Sequence, residues 1–147
     1  MKGTRFNFLT INFFAAILAI LLLFSFTSCT QKMTFLNSSV VPAAQGTVKI
    51  KKDSNKNYRI QIEVFNLAEP ERLQPPKKLY IVWMSTDQNI TKNIGQISTS
   101  SKNYSKKLEA SFESVSSVKP TKIFITAEDD PNIQRTDWEI VLSTGLF

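Results

Sequence analysis

No histidine occurs in this chain, and its one thiol is Cys29. Without imidazole there is no Ser-His or Cys-His nucleophile pair, and none of the common zinc ligand sets can be assembled. A lone cysteine also rules out an intramolecular disulfide. Glycine is scarce, at four of 147 residues, and no EF-hand spacing of acidic residues is present. No pattern of basic and aromatic residues typical of nucleic-acid binding appears, so nucleic acid is not an expected partner. Neither a cofactor nor a resident metal is expected, and no set of residues amounts to an active site.

What is there begins with the first 29 residues. Lys2 and Arg5 precede an apolar run from Phe13 to Phe24, and the segment closes with Phe26-Thr27-Ser28-Cys29. A basic start, an apolar stretch of roughly 7–15 residues and a small-residue ending are the layout of a secretory signal. With cysteine directly after Ser28, the ending resembles the lipobox of bacterial lipoproteins, in which that cysteine is lipidated and becomes the first residue of the mature chain. The predicted division is therefore a signal peptide over 1–28, lipidated Cys29 with a flexible tether over 29–45, and a folded domain over 46–147. The competing reading is an uncleaved anchor, since Phe6 to Phe26 approaches the roughly 20 residues of a spanning helix. Asn7, Thr10 and Asn12 oppose it. Under both readings the positive charges precede the apolar run, which places the rest of the chain on the non-cytoplasmic side. The expected location is the bacterial envelope, at the periplasmic face of the outer membrane, with membrane lipid as the partner of acylated Cys29.

Removing the first 28 of 147 residues leaves 119, one domain's length, with 16 basic and 12 acidic residues. A domain of that size buries roughly two-thirds of its unfolded surface, enough for a core without disulfides. The pairs around Lys49-Lys51-Lys52, Lys77-Lys78 and Lys106-Lys107 read as solvated strand edges and loop ends. A patch for anionic lipid or polysaccharide is the alternative.

Hydropathy along the domain alternates with period two. Val48 and Ile50 alternate with Lys49 and Lys51, and Tyr58, Ile60, Ile62 and Val64 alternate with Arg59, Gln61 and Glu63 across the turn residues Asp53 to Asn57. That spacing predicts a hairpin. Pro70, Pro75 and Pro76 then interrupt regular structure, because proline has no N–H to donate and restricts the residue before it. Leu79 to Met84 is apolar at every position, which predicts a central strand covered on both faces, with Trp83 in the core. Shorter strands are predicted around Ile94 to Ser98, Tyr104 to Glu113, Lys122 to Ala127 and Trp138 to Leu142. About seven antiparallel strands and no convincing helix predict an all-β, Ig-like β-sandwich.

Four segments carry a further likeness. Tyr80-Ile81-Val82-Trp83-Met84, Asn93-Ile94-Gly95-Gln96-Ile97, Ile123 to Glu128 followed by Pro131, and Ile140 to Gly145 resemble the C-terminal extracytoplasmic domain of anti-sigma-K factors. The resemblance covers about Gly46 to Gly145 and implies a sandwich on the outer side of a membrane. It does not extend to sigma-factor binding, since the cytoplasmic helical domain has no counterpart here. Asp129-Asp130-Pro131-Asn132 also stands where that family prefers glycines.

The candidate ligand-binding residues are Asp129, Asp130, Asp137 and Trp138. Their carboxylates, with Glu128, suit a hard cation such as calcium if the flanking strands gather them. Asp and Asn also form turns unaided, Pro131 presets a backbone angle, and Arg135 can neutralise the carboxylates, which favours a plain turn. Trp138, between Asp137 and Glu139, is either core or an exposed platform for a sugar ring. The resulting expectation is a monomeric, non-enzymatic lipoprotein that binds or supports another envelope protein or glycan. A carbohydrate-binding or envelope-sensing module is the alternative.

Overall fold

The alternating runs become strands that bury one side chain in two. In the structure, a computed structural model, the described residues are Phe13, Ile17, 30–101, 108–135 and 139–147. The predicted signal segment, apart from Phe13 and Ile17, lies outside them, as do Cys29, Asp137 and Trp138. Among the described residues no helix is long and apolar enough to cross a membrane.

Among the described residues nine strands form two antiparallel sheets: β1 (Thr30–Thr34), β2 (Gln45–Lys52), β3 (Tyr58–Phe65), β4 (Leu79–Thr86), β5 (Thr91–Ile97), β6 (Thr99–Ser101), β7 (Leu108–Ser116), β8 (Pro120–Glu128) and β9 (Ile140–Ser143). One sheet runs β1-β2-β3-β7-β6 and the other β5-β4-β8-β9. With β1 set aside, β2-β3-β7-β6 follows the A-B-E-D order of immunoglobulin domains, and β4-β8-β9 follows C-F-G with β5 added at the edge. The predicted sandwich is therefore present, with nine strands in place of about seven.

The β2–β3 hairpin closes as its turn chemistry dictates. Asp53 Oδ1 accepts the Asn57 N–H at 2.8 Å, and Lys56 takes a left-handed φ of 66°. Between the sheets, Val48, Ile60, Ile62, Val82, Ile123, Ile125 and Leu142 pack into the main core. Each contributes about 1.5–3 kcal/mol on burial.

A second, smaller core lies on the outer face of the β5-β4-β8-β9 sheet. Ile81, Trp83 and Phe124 are buried there beneath Ile133 of the β8–β9 loop. Trp83 and Phe124 are cross-strand partners, their rings parallel within 9° and their centroids 6.1 Å apart. Trp83 is thus a core residue, but of this outer layer and not of the space between the sheets.

The flexible tether predicted over 29–45 is corrected for its described part. Thr30 to Thr34 pair with β2 in register from Thr30↔Lys51 to Thr34↔Thr47. The Phe35 N–H then donates to Gly46 O at 3.0 Å and the Leu36 N–H to Ser143 O at 2.8 Å, tying the segment to both sheets. The folded part therefore starts at Thr30 rather than Gly46. β1 is an edge strand with only Met33 turned toward the core, so backbone hydrogen bonds hold it and no apolar alternation announces it. β6 adds three residues along β7, paired from Thr99↔Ala110 to Ser101↔Leu108.

Gly95 marks where the two sheets press together. The β4–β5 register passes from Val82↔Gly95 to Trp83↔Asn93, leaving Ile94 as the extra residue of a bulge. Gly95 has φ 139°, and a Cβ there would stand 2.8 Å from Cε2 of Phe112, which comes from β7 in the opposite sheet. Gly95→Ala should therefore lower stability by about 1–3 kcal/mol through backbone strain and overpacking. Adding Phe112→Leu should recover part of the loss in urea unfolding; a fully additive double variant would show that the ring is not the obstacle.

Candidate functional site

The β8–β9 loop carries the carboxylates singled out in the sequence, and each has its own local task. Glu128 ends β8 fully buried on the outer face. Trp83 Nε1–H donates to Thr126 Oγ1 at 2.8 Å, and Thr126 Oγ1–H donates to Glu128 Oε1 at 2.7 Å. This relay satisfies the indole of a tryptophan that has no access to water. Asp129 Oδ2 accepts from Lys77 Nζ at 2.8 Å; the ammonium sits on a buried residue while the carboxylate is half exposed. That hydrogen bond, with the charges of Lys77 and Lys78, holds the Asp129 carboxyl below the usual carboxylate range.

Asp130 is occupied otherwise. Its Oδ1 accepts the Asn132 N–H at 2.8 Å, an Asx turn that Pro131 stiffens. Asn93 of β5 donates through Nδ2 to the carbonyls of Pro131 and Ile133, both at 3.0 Å, and so fastens the loop over Trp83 and Phe124. Asp129 and Asp130 thus serve different partners. Among the described residues no group of three or more His, Cys, Asp or Glu is placed to hold a metal ion. Asp137 and Trp138 lie outside the described residues.

Cavities at the β3–β4 side are modest. One of about 130 Å³ is lined mainly by Leu73, Pro75, Ala127 and Val141, with Lys77 at its wall. Another of about 250 Å³ lies between Glu69, Glu71, Lys78 and Tyr80. Tyr80 donates its hydroxyl to Ala68 O at 2.8 Å, and burial, then the charge of Glu71, pushes that hydroxyl well above the ordinary phenol range. It is a strut for the proline-rich connection, not an acid or base. Both cavities are smaller than the 300–1,000 Å³ typical of small-molecule sites. A cleft of about 320 Å³ runs past Phe35 and half-exposed Phe65 with Asn37, Gln45, Thr34 and Thr47 around it, and no charged side chain lines it.

Sequence reasoning missed how the charges sort along the sandwich. The registered rows Val48↔Ile62↔Phe112 and Val82↔Ile125 mark its middle. At the end bearing the β2–β3 turn, the first sheet places Lys32, Lys49, Lys51, Lys52, Lys56 and Arg59, and the second places Lys92, Lys119 and Lys122. The acids there are Asp53, Asp87 and Glu113. At the other end, Arg72, Lys77 and Lys78 stand among Glu63, Glu69, Glu71, Glu109, Glu128, Asp129 and Asp130. Register is what a one-dimensional charge count leaves out: Lys32 and Lys49 are far apart in sequence and directly opposite in the sheet.

Within the basic end two like-charge pairs stand directly opposite one another, Lys32↔Lys49 and Lys51↔Arg59. Such pairs destabilise a sheet. Arg59 is offset by Glu113 at 2.6 Å and Lys49 by Glu63 at 3.6 Å. Gln61 and then Arg59 hold the Glu113 carboxyl below its usual range. Lys32 and Lys51 make no ion pair among the described residues.

The loop's role as a turn and clamp is open to test. A carboxylate whose folded pKa is depressed contributes stability above its unfolded value near about 4, and that contribution is lost as pH falls through the lower folded value. Asp129→Asn should therefore reduce stability at neutral pH and flatten its decline in acid, while Lys77→Met/Asp129→Asn should restore much of the neutral-pH loss. Millimolar calcium should leave the melting temperature of the parent chain unchanged. A calcium-dependent rise that disappears in Asp129→Asn/Asp130→Asn would make the loop a cation site instead.

Scans of the chain against protein-family models, curated proteins and solved structures each return no match, so the residues and their geometry are what a functional reading rests on.

Proposed function

We propose that this chain is a non-enzymatic lipoprotein of the bacterial envelope, held through acylated Cys29 on the non-cytoplasmic side of a membrane, whose β-sandwich binds or supports another envelope component. The observation that carries the reading is the meeting point of signal and fold. The lipobox-like ending stops at Cys29, and β1 begins at Thr30, whose first registered partner is Lys51. Every described strand lies at or beyond that point. Signal removal at Cys29 would therefore spare both sheets and place the lipid at the first residue of a folded domain.

A binding or structural role, as against catalysis, is supported by the occupation of the acidic side chains. Glu128 serves the Trp83 relay, Asp129 pairs with Lys77 and Asp130 caps its own turn. The four segments that resemble the extracytoplasmic domain of anti-sigma-K factors fall on β4, β5, β8 and β9, which make up one sheet. We take the likeness as one of fold, with the function open to any partner in the envelope. The periplasmic face of the outer membrane is the location we favour. The uncharged cleft at Phe65 favours a second reading, a glycan-binding module, because an exposed aromatic ring beside amide and hydroxyl side chains suits a sugar.

Anchoring is tested by metabolic labelling with a fatty acid. Wild-type chain should take up label, and Cys29→Ala should take up none and lose stable membrane attachment, since acyl chains contribute about 0.8 kcal/mol per buried CH₂. Equal labelling of both would refute the anchor.

A further inference from the structure

The geometry points to a docking surface: the basic end of the sandwich, around the β2–β3 turn, rests on the anionic lipid headgroups of the membrane that holds the chain. This inference rests on the anchoring proposed above and adds to it an orientation and a lipid chemistry.

Three observations carry it. Thr30 enters the sheet at that end, beside Lys51, and a single peptide bond, with about 3.8 Å between Cα atoms, joins it to Cys29. A tether of some 16 residues would let the domain tumble; a strand beginning one residue from the lipid brings this end to the bilayer. The second observation is charge. Among the described residues nine cations against three acids occupy this end, so an anionic surface attracts it. The third is the arrangement of the cations. Lys51 and Arg59 face each other on one surface, as do Lys32 and Lys49; Glu113 and Glu63 offset Arg59 and Lys49, which leaves Lys51 and Lys32 for headgroup phosphates to neutralise.

Lys51, Lys52 and Lys56 are exposed, and among the described residues neither an ion pair nor a hydrogen bond ties their ammonium groups to a neighbour. The Lys52 ammonium lies over the Tyr58 ring, 5.5 Å from its centroid. Lys119 directly precedes β8 and Lys122 lies near its start, so the second sheet also carries cations at this end. Screening confines the attraction to within about 8 Å at physiological salt, which is why the absence of a long spacer matters.

The test uses the mature chain isolated from envelope membranes and returned to vesicles. These are of phosphatidylcholine alone or with about one third phosphatidylglycerol. Brief acetylation of amines followed by mass spectrometry reads each lysine, and the peptide bearing Cys29 reports its acylation in the same run. Lys51, Lys52, Lys56 and Lys119 should react several-fold more slowly on the anionic vesicles, with the difference removed at roughly 0.5 M salt, while Lys78 at the acidic end reacts equally on both. Substituting Lys51→Glu/Lys52→Glu/Lys56→Glu, all at exposed positions, should abolish the slowing at Lys119 with the β-rich circular dichroism spectrum retained. Equal rates on both vesicles, or slowing at Lys78 as great as at Lys51, would overturn the orientation. An acyl group on Cys29 with equal rates defeats the docking surface alone. Protected lysines without an acyl group defeat the anchor alone, and failure of both readouts defeats both.

Discussion

The structure depends on the burial of β4 and β8 on both faces. Tyr80, Val82 and Met84 point into the space between the sheets, and Ile81 and Trp83 point away from it, yet all five are buried. A one-sided sheet needs only a partner sheet. This pair also needs a lid, and the β8–β9 loop supplies it through Ile133, with Asn93 holding the loop's carbonyls in place. Trp83 is the most demanding member, because its indole N–H is cut off from water and must find an acceptor in the interior. Thr126 provides one and is itself satisfied by Glu128. The buried carboxylate at the end of β8 is thus a consequence of placing a tryptophan on the outer face.

That dependence recasts the acidic loop. Glu128, Asp129 and Asp130 are consecutive in sequence, and a strand sends consecutive side chains to opposite faces. Glu128 turns to the outer core, Asp129 reaches Lys77 on the β3–β4 connection, and Asp130 bonds to its own turn. Three carboxylates in a row look like a cation site only while the backbone is ignored. The ion pair of Lys77 and Asp129 links the β3–β4 connection to the β8–β9 loop. Because Asp129 is half exposed, solvent screens the pair, and its role is one of alignment more than of energy.

Much of this fold was legible in the sequence because it is written in period two. β2 and β3 bury the alternating residues that the pattern marks, and the unbroken apolar run at Leu79 to Met84 is the doubly covered strand. Gly95 showed itself as a lone glycine within a strand, though the reason for it, the ring of Phe112, lies across the sandwich and 17 positions along the chain. What stayed hidden is what depends on neighbours rather than on the run itself. β1 has no apolar alternation, since an edge strand of Thr, Gln and Lys is held by the unpaired N–H and C=O groups of β2. The basic end was hidden for the same reason. Lysine pairs read singly are ordinary solvated edges; the register that sets Lys32 against Lys49 and Lys51 against Arg59 turns them into one surface.

β1 connects these features to each other. Ending the sandwich at β2 would leave a long open edge with Val48 and Ile50 beside it, a template for pairing with a second chain. β1 covers that edge, and it carries a lysine on its outward face, which is a common way of discouraging further addition. On the anchoring proposed at Cys29, the same strand would also keep the domain close to the membrane, so edge protection and that closeness would come from one element of five residues. With the basic end held down, the cleft at Phe65 and Gln45 lies at the far ends of β2 and β3, directed away from the bilayer. A partner meeting this protein from the envelope space would then encounter an uncharged, partly aromatic opening bordered by acids, while the cations face the lipid.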